Sequence, residues 1–151
     1  MNEFELARQE IMALQARPGL RDALLHEVCA ILQRRIAHYD WVGFYIALPQ
    51  ERMLVLGPYV GAPTEHTRIP YGRGICGQVA QSEQPLAIPD VREQSNYLSC
   101  SVHVRSEIVL PVMKEGQFVA QLDIDSHQVD PFGPEDTELL EAVCQAVAAL
   151  F

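Results

Sequence analysis

The sequence predicts an α+β fold with an antiparallel sheet, and three observations support this prediction. Apolar residues recur at helical spacing near both ends of the chain, they alternate with a period of two between those ends, and the alternating segments come in pairs separated by short turns. The strand-helix-strand alternation that is typical of parallel sheets does not occur in the pattern. At 151 residues the chain suits a single domain, which we expect to span 1–151.

Two helices are predicted in the N-terminal region, 2–36. The first covers 2–16 and is ended by Pro18 and Gly19. The second has apolar positions separated by four, three and four residues, which places them in one stripe on a helix. The stripe consists of Leu25, Cys29, Leu32 and Ile36. Its cysteine is therefore predicted to pack in the core.

The region 40–126 is predicted to hold the sheet and its loops. The first hairpin pairs residues 41–48 with 53–59. On its first strand, Trp41 and Tyr45 share a face, with Gly43 expected to leave space between them. The two rings either lie half-buried under a loop or form a wall for a small apolar or cationic group.

A second hairpin pairs 107–113 with 117–125 around a three-residue turn that ends in Gly116. In this register Met113 lies opposite Gln117, and one face carries only apolar pairs. Those pairs are Ile108/Leu122, Leu110/Ala120 and Val112/Phe118.

The other face of this hairpin gathers three carboxyl groups at one end. Glu107 is expected opposite Asp123, with Asp125 two residues further along the strand. These are either solvent-exposed acids or a functional cluster. The second alternative arises because like charges opposed on neighbouring strands are destabilising, and a bound cation or a retained proton would reduce their repulsion. In a partly desolvated cluster at least one acid keeps its proton near neutral pH and serves as a proton donor. The remaining carboxylates suit an ammonium group.

A C-terminal helix is predicted over 135–151. Its apolar stripe consists of Leu140, Val143, Val147 and Leu150. Cys144 lies beside this stripe, which favours a packing role for its thiol.

The Gly-rich segment 72–77 matches G-x-G-x-x-G but lacks the parallel strand and long helix of a dinucleotide site. It predicts a tight turn into a short helix near 78–82. Cys76 would lie near the N-terminus of that helix, where the helix dipole lowers a thiol pKa. Both a reactive and a packing role remain open for this cysteine.

Cys100 lies in a polar, loop-like stretch and on no apolar stripe, which makes it the better candidate nucleophile. A zinc site is an alternative use of the thiols and imidazoles in this part of the chain. Its candidate ligands are Cys76, Cys100, His66 and His103.

The chain carries 20 acidic and 11 basic residues, a net charge of −9. This charge repels phosphate backbones and anionic lipids, which argues against nucleic-acid and membrane binding. The N-terminus lacks the pattern of a secretory signal, and no apolar stretch reaches the length of a membrane span. We therefore expect a cytoplasmic protein whose four cysteines are free thiols.

Taken together, four motifs resemble the free methionine-(R)-sulfoxide reductases, which are built on a GAF domain. They are Trp41-Val42-Gly43-Phe44-Tyr45, Gly72-Arg73-Gly74-Ile75-Cys76-Gly77, Cys100 with Ser106-Glu107-Ile108-Val109-Leu110-Pro111, and Leu122-Asp123-Ile124-Asp125-Ser126. The resemblance implies about six antiparallel strands, with helices on one face and a loop-covered pocket on the other. It also implies a homodimer, no bound cofactor and thioredoxin as electron donor.

The resemblance further implies roles for individual residues. Cys100 matches the catalytic cysteine, and Cys76 matches a second cysteine implicated in disulfide formation. The acids that bind substrate and donate a proton match Glu107, Asp123 and Asp125, with Glu107 and Asp125 expected to be catalytic. The aromatics around the substrate's methyl group match Trp41 and Tyr45.

One position departs from the family pattern. Members commonly carry another cysteine ten residues before Cys76, and this chain has His66 there. The usual resolving thiol is therefore absent, and either Cys76 or an external thiol is expected to resolve the oxidised enzyme.

The implied activity is thiol-dependent reduction of free L-methionine (R)-sulfoxide to methionine. It would proceed through a cysteine sulfenic acid and a disulfide that thioredoxin reopens. The main alternative is a non-catalytic GAF sensor of a small molecule or of redox state, because the fold serves binding as well as chemistry. A metal-binding regulatory domain is a third interpretation, and stoichiometric zinc in purified protein would indicate it.

Overall fold

The computed structural model describes residues 1–94 and 103–151, so the predicted nucleophile Cys100 lies outside the described residues. The helices are α1 (Glu3–Leu14), α2 (Arg21–Arg35), α3 (Gly74–Ser82) and α4 (Pro134–Val147). The strands are β1 (Trp41–Leu48), β2 (Met53–Val60), β3 (Arg68–Pro70), β4 (Leu86–Ile88), β5 (Ser106–Lys114) and β6 (Gln117–Ser126). Short 3-10 turns occur at Pro49–Glu51, Val91–Glu93 and Ala148–Leu150.

Within the described ranges, six strands form one antiparallel sheet in the order β3-β2-β1-β6-β5-β4. The predicted α+β class and the strand number are confirmed. The region 61–105 contains no long periodic run in the sequence, yet it supplies β3 and β4. Each of these strands has three residues, which is too short for an alternating pattern to be recognised in the sequence.

The two faces of the sheet carry separate apolar cores. On one face α1, α2 and α4 pack over side chains such as Phe44 and Leu110. The predicted stripe cysteines Cys29 and Cys144 are buried in this core. On the opposite face α3 packs against the alternate side chains of the same strands, including Val109. The candidate site lies in this second layer.

The helix boundaries follow from local hydrogen bonding. At α1 the Asn2 side chain accepts a bond from the Glu5 amide at 2.9 Å, and the Glu5 carboxylate accepts one from the Asn2 amide at 3.2 Å. Helix α3 begins four residues before the predicted start at 78, because Gly72 and Gly74 adopt φ of 90° and 66° and turn the chain early. No helix in the described part of the chain combines the length and apolarity needed to cross a membrane.

The β5–β6 register differs from the predicted one by two residues. Glu107 lies opposite Asp125 and not Asp123, and the turn contains only Glu115 and Gly116, with φ of 51° and 78°. Two consecutive residues with positive φ form the tight turn that matches the twist of a hairpin. A shift of two preserves the side-chain alternation, so the predicted faces of the acids were correct although their partners were not.

The predicted apolar pairs of this hairpin change accordingly. Ile108 pairs with Ile124, Leu110 with Leu122 and Val112 with Ala120. The register then slips, and Phe118 pairs with Met113, which leaves Val119 as an extra residue in β6. This bulge turns Phe118 to the face that carries α3, so its predicted pairing with Val112 was wrong.

Candidate functional site

Three carboxyl groups are buried side by side beneath α3. Glu107 comes from β5, and Asp123 and Asp125 come from β6. Their exposed fractions are 3%, 1% and 1%, which is unusual for acidic residues. The interpretation of these acids as solvent-exposed is therefore wrong, and the interpretation as a desolvated cluster is supported.

The thiol of Cys76 lies against this cluster. Its Sγ is 3.3 Å from Asp123 Oδ2 and 3.8 Å from Glu107 Oε2, and it donates a weak hydrogen bond to these oxygens. Burial, followed by the charges of Asp123 and Glu107, raises the pKa of Cys76 well above that of a free thiol. The expected lowering of this pKa by the helix dipole is thus wrong, because desolvation and nearby carboxylates outweigh the dipole.

The proton of the acid cluster is best assigned to Glu107. Burial raises the pKa of Glu107 well above its ordinary value, and the neighbouring Asp123 and Asp125 raise it further. Burial also raises the pKa of Asp123, while hydrogen bonds with Glu107 and Cys76 act in the opposite direction. Burial and the neighbouring carboxylates therefore favour the neutral form of Glu107 more than that of Asp123, whose hydrogen bonds stabilise its charged form.

Close backbone contact sets the position of α3 over the acids. The Gly72 amide donates to the Gly77 carbonyl at 2.8 Å, and a Cβ on Gly77 would lie 2.6 Å from the Pro70 carbonyl oxygen. Gln121, which is fully buried on β6, donates from Nε2 to the Cys76 carbonyl at 3.2 Å. Gln121 was not among the residues predicted from the sequence, although it lies two residues before Asp123 and so on the same face of the strand.

The aromatic residues of β1 are positioned differently from each other. Tyr45 lines a cavity beside the acids, and its hydroxyl donates to the His66 carbonyl at 2.9 Å. Trp41 stacks on Tyr59 with ring centroids 5.3 Å apart and donates from Nε1 to the Ala62 carbonyl at 3.0 Å. Tyr59 was not predicted from the sequence as the partner of Trp41.

Gly43 does not leave open space between the two rings, as the sequence had suggested. A Cβ at this position would lie 2.4 Å from the ring of Trp41 and 2.8 Å from Cβ of Tyr59. The glycine is needed because the indole ring occupies the space that a Cβ would take.

The cavity between α3 and the sheet is very small. Its volume is about 10 Å³, which is close to the space of one water molecule. The residues that line it are Tyr45, His66, Ile69, Gly74, Ile75, Cys76, Glu107 and Asp123. His66, at the position where a cysteine was expected, therefore shares this cavity with Cys76.

The zinc ligands proposed from the sequence are only partly brought together. Cys76 and His66 line the same cavity. The ring of His103 instead lies beside His127, with the two ring centroids 5.9 Å apart. In the ranges 1–94 and 103–151, the one group of metal-ligand type comprises Cys76, Glu107 and Asp123.

Comparison with known proteins identifies the fold and its relatives. A family model for the GAF domain matches residues 20–151. A free methionine-R-sulfoxide reductase of Escherichia coli (strain K12) is 38% identical over 99% of this chain and 89% of its own length. The GAF domain-containing protein A of Dictyostelium discoideum is 36% identical over 93% of this chain and 87% of its own length.

A solved structure gives the same result. The free methionine-R-sulfoxide reductase from Neisseria meningitidis, in complex with its substrate, superposes with a TM-score of 0.91. It is 30% identical to this chain, and the match covers 98% of this chain and 87% of that chain.

Proposed function

The chain belongs to the GAF domain family and, within it, to the free methionine-R-sulfoxide reductases, and we propose that it reduces free L-methionine (R)-sulfoxide to methionine. The observation that carries this proposal is the buried cluster of Glu107, Asp123 and Asp125, in which burial raises the pKa of Glu107 well above its ordinary value. Reduction of a sulfoxide requires a proton for the departing oxygen, and a neutral buried acid supplies it.

We propose that the substrate lies between the acids and the aromatic side of β1. Its ammonium group would face the carboxylates of Asp123 and Asp125, and its methyl group would lie against Tyr45 and Trp41. A methionine sulfoxide within a peptide lacks that ammonium group except at the N-terminus of the chain. Recognition of the charge would therefore select the free amino acid.

Substrate binding requires the site to open. The cavity of about 10 Å³ between the described residues is far smaller than an amino acid. Because the Gly77 backbone is in close contact with the turn before α3, we expect the side chain of Cys76 to move before the helix does.

The proposed chemistry begins at Cys100. Its sulfur attacks the sulfoxide sulfur while Glu107 protonates the oxygen, and the proton released from the thiol returns to Glu107. Oxygen passes to the cysteine, so that methionine leaves and a sulfenic acid remains on Cys100. The sulfur of the substrate gains two electrons, and the sulfur of Cys100 loses them.

Cys76 is the proposed resolving residue. Its thiol would condense with the sulfenic acid to form a disulfide and release water, and thioredoxin would reduce that disulfide by exchange. The raised pKa of Cys76 makes it a poor thiolate, so this step needs a proton acceptor. Asp123 Oδ2, at 3.3 Å from the sulfur, is placed to accept that proton.

The experiment that tests the proposal is turnover of each methionine sulfoxide diastereomer with thioredoxin, thioredoxin reductase and NADPH. We expect consumption of the free (R) form only, no activity in Cys100→Ser, and one turnover without recycling in Cys76→Ser. Cys144→Ser is the matched control, because that thiol is buried in the opposite core. Binding of the substrate without turnover would reject the reductase and favour a GAF sensor.

Two further properties belong to this proposal. We propose that the enzyme works in the cytoplasm, where thioredoxin and free methionine sulfoxide meet in a reducing environment. We also propose a homodimer. The molar mass of the protein in solution, measured at the concentrations used in the activity assay, tests the proposed homodimer.

A further inference from the structure

The cluster around Cys76 has the composition of a cation site as well as that of an acid-base site. One ligand atom from each of Cys76, Glu107 and Asp123 lies within 4.8 Å of the others. All three residues are buried, with exposed fractions of 6%, 3% and 1%. A thiolate together with carboxylates is a donor set for a borderline-soft divalent cation such as Zn²⁺.

The distances within the group fit one metal ion. Zinc bonds of about 2.3 Å to sulfur and about 2.0–2.2 Å to oxygen, at tetrahedral angles, place sulfur and oxygen ligands about 3.5 Å apart. The observed Cys76 Sγ to oxygen separations are 3.3 Å for Asp123 and 3.8 Å for Glu107. An ion between these atoms therefore requires only small side-chain movements.

Two further observations point to a ligand at this position. Asp123 Oδ1 is buried and accepts no hydrogen bond from the described residues. The three ligand groups border a cavity of about 10 Å³, which has room for one water or one ion.

We propose that Cys76, Glu107 and Asp123 bind one Zn²⁺ ion, with a water molecule as the fourth ligand, and that this ion blocks the proposed reductase. The bound ion would hold Cys76 as a thiolate and occupy the carboxyl oxygens of Glu107 and Asp123. The resolving thiol and the proton donor would then both be unavailable. The binding site is independent of the proposed function, whereas the inhibition rests on it.

Cobalt is the probe for the site, because a thiolate bound to Co²⁺ gives a charge-transfer absorption band. Reduced, metal-free protein is titrated with Co²⁺ without oxygen, and Zn²⁺ is then added. We expect one Co²⁺ per chain, a charge-transfer band and displacement by Zn²⁺. Absence of the band in the wild-type protein would overturn the proposal and would mean that shared protons alone offset the charges of the cluster.

Variants assign the band to particular ligands. We expect it to disappear in Cys76→Ser and to persist in Cys144→Ser, whose thiol is buried in the opposite core. Glu107→Gln and Asp123→Asn should each weaken Co²⁺ binding at least about tenfold. Circular dichroism confirms that each variant is folded. Persistence of the band in Cys76→Ser would overturn the assignment.

Cys100→Ser separates this proposal from the reductase mechanism. The variant is expected to lack turnover and still to show the cobalt band, so failure of one proposal is distinguishable from failure of the other. In the wild-type protein, equimolar Zn²⁺ should inhibit thioredoxin-driven turnover, and excess chelator should restore it. Metal binding without loss of turnover would contradict the inhibitory role and leave the site itself established.

Discussion

Burial of the Glu107 side chain makes the stability of the protein depend on pH. Its carboxyl group is 3% exposed and faces two further acids, an arrangement that raises its pKa well above the usual range. A group with a raised folded-state pKa stabilises the protein below its unfolded pKa, and that contribution is lost as pH rises through the folded value. The stability of the wild-type protein should therefore decline between mildly acidic and alkaline pH.

The first prediction concerns Glu107→Gln. The amide keeps the shape of the side chain and does not ionise, so we expect the variant to be more stable than the wild type at pH 8 by about 1 kcal/mol. The difference should nearly vanish near pH 4.5, the ordinary pKa of the group. Turnover should fall by about 100-fold or more, because the amide does not donate a proton efficiently.

Urea unfolding at the two pH values measures the first part of this prediction, and the thioredoxin-coupled assay measures the second. Glu138→Gln, on the exposed side of α4, is the control and should change neither quantity. A Glu107→Gln variant that retained full turnover would transfer the role of proton donor to another acid.

At the scale of elements, the position of α3 depends on a glycine. Gly77→Ala would place a Cβ 2.6 Å from the Pro70 carbonyl oxygen and 3.0 Å from the Gly72 amide nitrogen. Backbone atoms do not yield easily, so the helix must move away from the turn. We expect a loss of about 2–3 kcal/mol in unfolding free energy and a marked loss of turnover, because Cys76 moves with the helix.

Gly133→Ala is the matched control, since a Cβ at that position meets nothing within 4 Å. Gly133→Ala should lower the unfolding free energy by less than about 1 kcal/mol. Equal effects of the two substitutions on the denaturation midpoint would show that the close contact at Gly77 is not the cause.

The β5–β6 turn offers a substitution that is expected to increase the unfolding free energy, whereas Gly77→Ala is expected to lower it. Glu115 has φ of 51°, a conformation that asparagine adopts more readily than glutamate. We expect Glu115→Asn to increase the unfolding free energy by about 0.5–1 kcal/mol, with an unchanged dependence on urea concentration. Glu115→Val, whose branched side chain is strained at positive φ, should lower it. A stabilising Val substitution would contradict the proposed turn geometry.

The register of this hairpin illustrates why pairing is hard to predict. Lys114, Glu115 and Gly116 suit both a three-residue and a two-residue turn. The two-residue turn alone would shift the pairing by one residue and exchange the two faces, and the extra residue in β6 restores the predicted faces of the acids. The choice between them depends on the bulge at Val119, which lets Phe118 reach the layer under α3. That choice is made by packing, which a local sequence pattern does not contain.

At the scale of the whole molecule, a buried polar network joins distant parts of the chain. The Asp136 carboxylate at the start of α4 accepts bonds from the Tyr39 hydroxyl at 2.7 Å and the Gly133 amide at 2.8 Å. His38 Nε2 lies 2.6 Å from the same carboxylate. The network therefore connects the entry to β1 with the N-terminus of the last helix.

We expect Asp136→Asn to lower the unfolding free energy by about 2–3 kcal/mol, because buried hydrogen bonds to a charged acceptor are weakened. Tyr39→Phe removes one of these hydrogen bonds and should lower the unfolding free energy by about half that amount. Both variants should retain turnover at temperatures where they are folded, since the network lies on the side of the sheet opposite the acid cluster. Loss of activity in a folded variant would contradict this separation.

By itself, the sequence determined the fold class, the helical stripes and the face on which each of Glu107, Asp123 and Asp125 lies, because the periods of 3.6 and two are local properties of the chain. The tertiary structure alone decided that the acids are buried, that Cys76 lies 3.3 Å from Asp123, and that Gln121 holds the Cys76 carbonyl. The raised pKa values of Cys76 and Glu107 follow from that burial. Desolvation is set by what covers a side chain, and the covering helix α3 is distant in sequence from the strands beneath it.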